Sequence, residues 1–336
     1  MRLKNITIFA SLAIMLAAVL WAVDGTILTP WITDLGLWDV PTFVFMLHAT
    51  ALVFLSYFIF TKKDELKKLN KSDWTAFFLT ALFGGAIGTM AIIAAIINVY
   101  SNDLNISVVL LLQKLQPIFA ILLALTFLKE KPKKIFYLWV LVALIGSYFL
   151  TFGFDSVNLQ ADNMLTPALL ALLAAFSFGS STVFSKKAIT KISHGLSTAI
   201  RFGLTTIIML IVIIIISLLN SFGVDTGYEG FKGFTVINWD MMLVFIIIAL
   251  TTGGTAIFIY YYGLKRVMAS RSTILELMYP VSAIILEYFY HDKSLNTGQW
   301  IGAIIVLIAI TIIVRLKNPK LNNNSNENEI FKPQIT

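Results

Sequence analysis

Apolar residues in this chain run together in blocks of about 20, separated by short polar or basic segments, rather than alternating with polar ones. A helix needs roughly 20 apolar residues to cross the hydrocarbon core of a bilayer. Ten blocks reach that length, at 6–30, 41–60, 74–99, 104–128, 135–152, 164–186, 198–219, 240–263, 269–290 and 297–315. Asp24-Gly25 interrupts the first and Gly253-Gly254 the eighth, which is tolerable where neighbouring helices satisfy the freed backbone groups. The pattern predicts an all-α integral membrane fold of ten transmembrane helices. The first block is not read as a cleaved signal peptide, because Ile6–Val23 is long for one and no small-x-small site follows it closely.

Two blocks carry polar intrusions. The fourth contains Gln113-Lys114-Leu115-Gln116-Pro117, and the ninth contains Glu276 shortly before Tyr279-Pro280. Pro117 and Pro280 are 163 residues apart, and the same offset sets Gln113 on Glu276, Gln116 on Tyr279 and Gly146 on Ala309. The chain thus divides into a first five-helix unit (1–152), a linker (153–163), a second five-helix unit (164–316) and an Asn-rich polar tail (317–336) expected to be a disordered extension.

Lysine and arginine set the orientation. With the N-terminus in the cytoplasm, 22 of the 25 basic residues fall on the cytoplasmic side, Arg201 and Arg271 at span ends among them. Lys232 and Lys293 fall outside, and Lys114 lies within a span. Both termini are therefore expected inside. The offset that aligns the units places Asn102-Asp103 opposite Lys265-Arg266, and the basic loop after the first proline opposite the HDKSLNT segment after the second. The positive charge has changed sides, as it must if an odd number of spans per unit inserts the two units oppositely. That is the signature of an inverted-topology repeat. Six of the seven tryptophans (Trp31, Trp38, Trp74, Trp139, Trp239, Trp300) lie near span ends, as an interfacial belt requires.

Composition agrees and excludes several functions. The chain is 58% hydrophobic and 13% charged, far from the soluble norm. It has no cysteine, so disulfide and thiol chemistry are ruled out, and its three histidines are scattered without metal-ligand spacing. The net charge of +7 is accounted for by topology and does not call for nucleic acid. No phosphate-binding glycine loop or catalytic triad occurs, so neither an ATP-driven pump nor an enzyme is expected.

Two five-helix units, each with a proline-bearing fourth helix leading into an acidic turn and a Gly-containing fifth helix, resemble the EamA-type members of the drug/metabolite transporter superfamily. The resemblance rests on Pro117 with Glu130 thirteen residues later and then Gly146, on Pro280 with Gly302, and on the opening LAAVLWAVDG around Trp21. It covers nearly the whole chain except the tail. The sequence departs from the family pattern at Lys293, where a second glutamate is expected and Asp292 stands one position early, and at Trp139 and Ala309, where glycines are usual. The resemblance implies a solute carrier of the inner or plasma membrane working by alternating access.

The candidate site follows from the cost of polar groups in lipid. A lysine at a helix centre costs about 2.5–3.5 kcal/mol on insertion scales and normally faces a protein interior or wet cavity. Lys114 is read either as an anchor for an anionic group of a substrate or as the structural partner of Glu276 or Asp24. Glu276 either binds a cationic group or coupling proton, or neutralises Lys114. Gln113, Gln116, Tyr279 and Asp24 complete the expected substrate-binding set; Gln113 and Gln116 share a helix face from which Lys114 points away, one of the two faces is packing, and Gln116 is the favoured glutamine. Pro117 and Pro280 are read as helix kinks, Gly84/Gly88 and Gly253-Gly254 as packing positions, His48 as a buried, satisfied histidine, and Tyr260–Tyr262 as interfacial anchors.

The sequence thus predicts a secondary transporter for a small polar metabolite, amino-acid-like or an organic anion. The expected partners are that solute, membrane lipid and a proton or other coupling ion. No cofactor, metal or nucleic acid is expected. A channel-like pore or lipid-carrier flippase is the alternative.

Overall fold

The computed structural model describes residues 2–37, 39–102, 106–155, 164–224, 233–290 and 295–316. The expectations placed on Trp38, Asp103, Lys232, Asp292, Lys293 and the tail from 317 lie outside these residues. Among the described residues every regular element is helical. We label the spans α1 (Ile6–Asp34), α2 (Val40–Thr61), α3 (Lys71–Val99), α5 (Lys134–Phe152), α6 (Leu165–Ala188), α7 (His194–Ser221), α8 (Trp239–Leu264), α9 (Ala269–Tyr290) and α10 (Thr297–Arg315), nine in all, each long and apolar enough to cross a bilayer. Between α3 and α5 stands α4, made of two shorter pieces, Ile106–Gln113 and Gln116–Phe127.

Local chemistry fixes the ends. Asn70 and Asp73 form a reciprocal capping box at the start of α3, and Asn296 with Gln299 does the same for α10. Asp39 caps α2 and Asn238 caps α8 through the backbone N–H groups of Thr42 and Met241. The α5 helix stops at Gly153, whose φ of 63° suits a residue without a side chain.

Packing between the units follows a single rule. The α5 helix packs on α10 and α2 on α7; α3 packs on α6 as α1 does on α8; α4 packs on α6 as α1 does on α9. Exchanging α1–α5 with α6–α10 leaves this pattern unchanged, which is the packing expected of a two-fold repeat. Close approach relies on small residues, the usual device where lipid removes the hydrophobic drive between helices. A Cβ on Gly302 would run into the Leu150 backbone of α5, and one on Gly146 would meet Ile305 at 2.7 Å and Val306 at 3.0 Å. Outward faces carry large apolar side chains such as Val53, Phe60, Ile211, Ile304 and Ile308, a surface suited to acyl chains. Trp239, Trp300, Trp31 and Trp74 stand exposed at span ends, as an interfacial belt requires.

The two interruptions seen in the sequence behave differently. At Asp24 the helix does not break; α1 widens into one π-helical turn, Asp24–Leu28, and continues. The α8 helix does break, at Thr251–Gly253, where Gly253 bonds back to Ile248. A second π-helical stretch, Ala81–Ile87 in α3, contains Gly84 and Gly85.

Candidate functional site

The α4 and α9 helices are each broken just before their proline, Pro117 and Pro280. In α4 the break lies at Lys114-Leu115, where the amides of Lys114 and Leu115 bond three residues back, to Leu111 and Leu112. In α9 it lies at Glu276-Leu277, with Leu277 bonding to Ile274 and Tyr279 to Glu276. Proline lacks the amide hydrogen that would continue the ladder, so the preceding turn tightens. Lys114 and Glu276 therefore sit in corresponding breaks of the two units, with Pro117 and Pro280 buried just beyond.

Glu276 is held by a network of neutral donors. Gln116 Nε2 donates to its Oε2 at 2.8 Å, and the Tyr260 hydroxyl donates to Oε1 at 2.7 Å. Ser272 Oγ lies 3.2 Å from the same Oε1 and 3.1 Å from the Tyr260 oxygen, and Thr182 Oγ1 is 3.2 Å from that phenol. Four helices converge here: α4, α6, α8 and α9. A carboxylate can accept several such bonds at once, and burial makes each of them matter.

Lys114 does not meet Glu276. Its ammonium donates to Thr151 Oγ1 on α5 at 2.5 Å, and that hydroxyl donates in turn to the Ser147 carbonyl at 2.9 Å. The acidic group that bears on Lys114 is Glu287 of α9. Glu287 also bears on Tyr279, together with Asp24. Tyr279 packs its phenol over Gly25, where a Cβ would lie 2.7 Å from the hydroxyl. Asp24 accepts a long 3.4 Å hydrogen bond from Thr29. The Gln113 side chain makes no hydrogen bond among the described residues, and Gln116 is the glutamine in the network.

The structure thus brings Gln116 to Glu276 and Tyr279 to Gly25, and gives Lys114 a hydroxyl partner in place of either acid. His48 is buried with Nδ1 2.8 Å from the Val44 carbonyl, the satisfied histidine the sequence suggests. Gly84 and Gly88 do serve close packing, against Ser181 and Phe178 respectively.

One expectation fails. Tyr260 and Tyr261 are not interfacial anchors. Both are buried, Tyr260 on Glu276 and Tyr261 beside Ser185 Oγ at 3.0 Å. The break at Thr251–Gly253 separates the last part of α8 from the first, and Tyr260 and Tyr261 lie on its inner face. Tyr262 is half-buried, with the Arg266 guanidinium 3.9 Å from its ring centre.

Sequence reasoning also missed Thr151, Ser272 and Glu287. Hydroxyls in apolar helices give no signal of their own. Glu287 does give one: it lies eleven residues after Glu276, which in a continuous helix is three turns on and the same face. Glu130, singled out as a motif residue, has a structural task. Its carboxylate accepts from the backbone N–H groups of Ala269 (2.7 Å) and Ser270 (3.0 Å) and from the Ser270 hydroxyl (2.6 Å), capping α9 from the end of α4. Lys129, at φ 53°, makes the turn that delivers it.

Comparison with known proteins agrees with this architecture. The EamA-like transporter family matches twice, over residues 8–152 and 165–315. A riboflavin transporter, ImpX, of Fusobacterium nucleatum subsp. nucleatum is 41% identical over 309 residues, spanning 91% of this chain and 97% of that one. An uncharacterised transporter of Synechocystis sp. is 26% identical over 83% of this chain and 76% of its own length. A solved crystal structure superposes with a TM-score of 0.63 at 13% identity, covering 93% of this chain and 99% of its own, a likeness of fold alone. The chain belongs to the EamA-like transporter family, and is a multi-pass membrane transporter of small molecules.

Proposed function

We propose that this family member is a secondary transporter for riboflavin or a closely similar planar solute, working by alternating access between the α1–α5 and α6–α10 units. The observation that carries the reading is the pair of matched breaks in α4 and α9, which hold a lysine and a glutamate, each hydrogen-bonded to polar groups of neighbouring helices. Unwound turns at corresponding positions of two repeats are where transporters of this build place their substrate.

The flavin is favoured over the amino acid or organic anion expected from sequence by two considerations. The 41% identical relative is named a riboflavin transporter. The groups around Glu276 are mostly neutral amides and hydroxyls (Gln116, Tyr260, Ser272, Thr182), suited to exchanging partners with imide and polyol groups. In this scheme Lys114 donates to an acceptor oxygen and Glu276 accepts from an N–H or hydroxyl donor. Gln116, Gln113 and Tyr279 line the solute, and Trp21, 5.3 Å from the Tyr260 ring, offers a stacking face. Asp24 or Glu276 would carry a coupling proton if transport is ion-driven. Pro117 and Pro280 keep the two breaks open. Lysine and arginine placement supports a cytoplasmic-membrane location with both termini inside.

Counterflow of labelled riboflavin into liposomes containing the purified protein tests the proposal. Saturable exchange that excess unlabelled riboflavin suppresses would support it. An ionic conductance, or lipid scrambling without exchange, would favour a pore or a flippase instead.

A further inference from the structure

Arg201 has no role in the cluster just described, and its surroundings leave most of its chemistry unused. It lies seven residues into α7, roughly 10 Å along the helix, so it is no loop cation of the kind that orients a span. The residue is only 9% exposed. Its one side-chain hydrogen bond among the described residues runs from Nη1 to the Tyr261 hydroxyl at a long 3.4 Å, with the guanidinium carbon 5.9 Å from that ring's centre. Both values sit at the outer edge of useful interaction. No carboxylate comes within ion-pair distance among the described residues; the two ion pairs are Lys67–Asp64 and Lys191–Asp73.

The packing keeps room for this group. A Cβ on Gly84 would lie 3.0 Å from Arg201 Nη2 and would also strike Ser181 Oγ, so the glycine lets the guanidinium lie against the π-helical turn of α3. His48 on α2 is a neighbour, but its Nδ1 is occupied by the Val44 carbonyl. The Tyr261 ring that Arg201 meets lies 6.0 Å from the ring of Tyr260, whose hydroxyl donates to Glu276. Arg201 therefore borders the polar cluster on its α7 side.

Guanidinium presents five N–H donors in a rigid planar fork. A buried charge with a single long hydrogen bond is costly unless something else meets it, and within spans such residues mark solute pathways. A purely architectural arginine tying α7 to α8 would be expected to show a short bond or a carboxylate partner. Arg201 shows neither.

We propose that Arg201 is a solute-binding residue that engages a coplanar pair of acceptor atoms, the edge of a pyrimidinedione ring or a carboxylate, through its donor fork. The inference rests on the transport reading above but does not require the solute to be a flavin. Riboflavin fits because its ring system carries such an edge. Lumichrome keeps that edge and lacks the ribityl chain, and orotate offers both a pyrimidinedione and a carboxylate on a small ring.

The test is isothermal titration calorimetry on the full-length protein in nanodiscs with riboflavin, lumichrome and orotate as probes. Wild type is compared with Arg201→Gln, Arg201→Lys and Tyr261→Phe. Arg201→Gln is expected to weaken every probe that binds by about tenfold or more, and Arg201→Lys by a smaller factor, since a point charge replaces the fork. Tyr261→Phe, which removes only the hydroxyl that Arg201 now meets, should leave Kd within about twofold. If Arg201→Gln does not fold, Arg201→Lys decides the matter, and an unchanged Kd in a folded R201K protein overturns the proposal. Equal losses in Arg201→Gln and Tyr261→Phe would mean a structural role and overturn it as well, as would a wild type that binds none of the probes. Orotate binding that depends on Arg201, with no riboflavin binding, would sustain this inference and refute the flavin reading.

Discussion

The Lys114 ammonium is bonded to the Thr151 hydroxyl at 2.5 Å, while Glu276, in the matching break of the other unit, is occupied by Gln116 and Tyr260. The two side chains at the matched breaks thus each hydrogen-bond to neutral groups, and both can change partners when a polar solute arrives. A direct Lys114–Glu276 ion pair would have to be broken first, at the cost of exposing two buried charges.

Removing the hydroxyl partner is the first test. Thr151→Val keeps the side chain's shape but deprives Lys114 of its acceptor. It is expected to destabilise the protein by roughly 1–3 kcal/mol, read from unfolding in detergent, with Thr151→Ser close to wild type. Equal stability of Thr151→Val and wild type would show that the bond contributes nothing.

The Glu276 network makes a different demand. Glu276→Gln keeps one acceptor and turns the other oxygen into a donor that faces Gln116 or Tyr260, both already donors. Transport is expected to fall by about 10–100-fold, the equivalent of one or two charge-assisted hydrogen bonds. Tyr260→Phe, which removes one donor and leaves the carboxylate, should lose less. Initial rates in liposomes measure both.

Glu130 acts on the fold. Its carboxylate caps α9 across the boundary between the units. Glu130→Ala is expected to cost about 1–2 kcal/mol of stability and Glu130→Gln less, because the amide keeps one acceptor. A thermal unfolding midpoint unchanged in Glu130→Ala would show that the cap is idle.

The α1–α2 corner should respond to pH. Asp39 accepts from Thr42 Oγ1 (2.7 Å), Thr42 N and Gly233 N, yet burial outweighs these bonds and raises its carboxyl above the usual carboxylate range. A raised pKa means the folded state holds the proton more tightly than the unfolded chain does. The stability this contributes is full below the unfolded carboxylate range and is lost as pH rises through the folded value. Asp39→Asn has no such dependence, so its unfolding midpoint should gain on wild type as pH rises from about 3.5 to 7. A constant gap across that range would contradict the shift.

Fold and site were not equally readable from sequence. Block lengths and the 163-residue offset between Pro117 and Pro280 carried the helices and the repeat, because membrane thickness and proline's missing donor act on local sequence alone. Lys114 and Glu276 were legible for a related reason: charge is expensive in lipid whatever surrounds it. Their partners were not. Thr151 lies 37 residues from Lys114, and its hydroxyl looks like any other in an apolar helix. Tyr260 was misplaced because proximity to a helix end says nothing of which way a side chain faces after a break such as Thr251–Gly253. Arg201 was absorbed into the topology signal, since an arginine near a span's end reads as a loop cation until the helix start is known.

The most direct test of the central claim is riboflavin counterflow in liposomes containing wild type, Lys114→Ala or Glu276→Gln, with folding of each checked by size-exclusion profile and unfolding midpoint. Wild type should exchange labelled riboflavin saturably, and both variants should lose about tenfold or more of the initial rate while remaining folded. Folded variants that exchange as fast as wild type, or a wild type that shows no exchange, would contradict it.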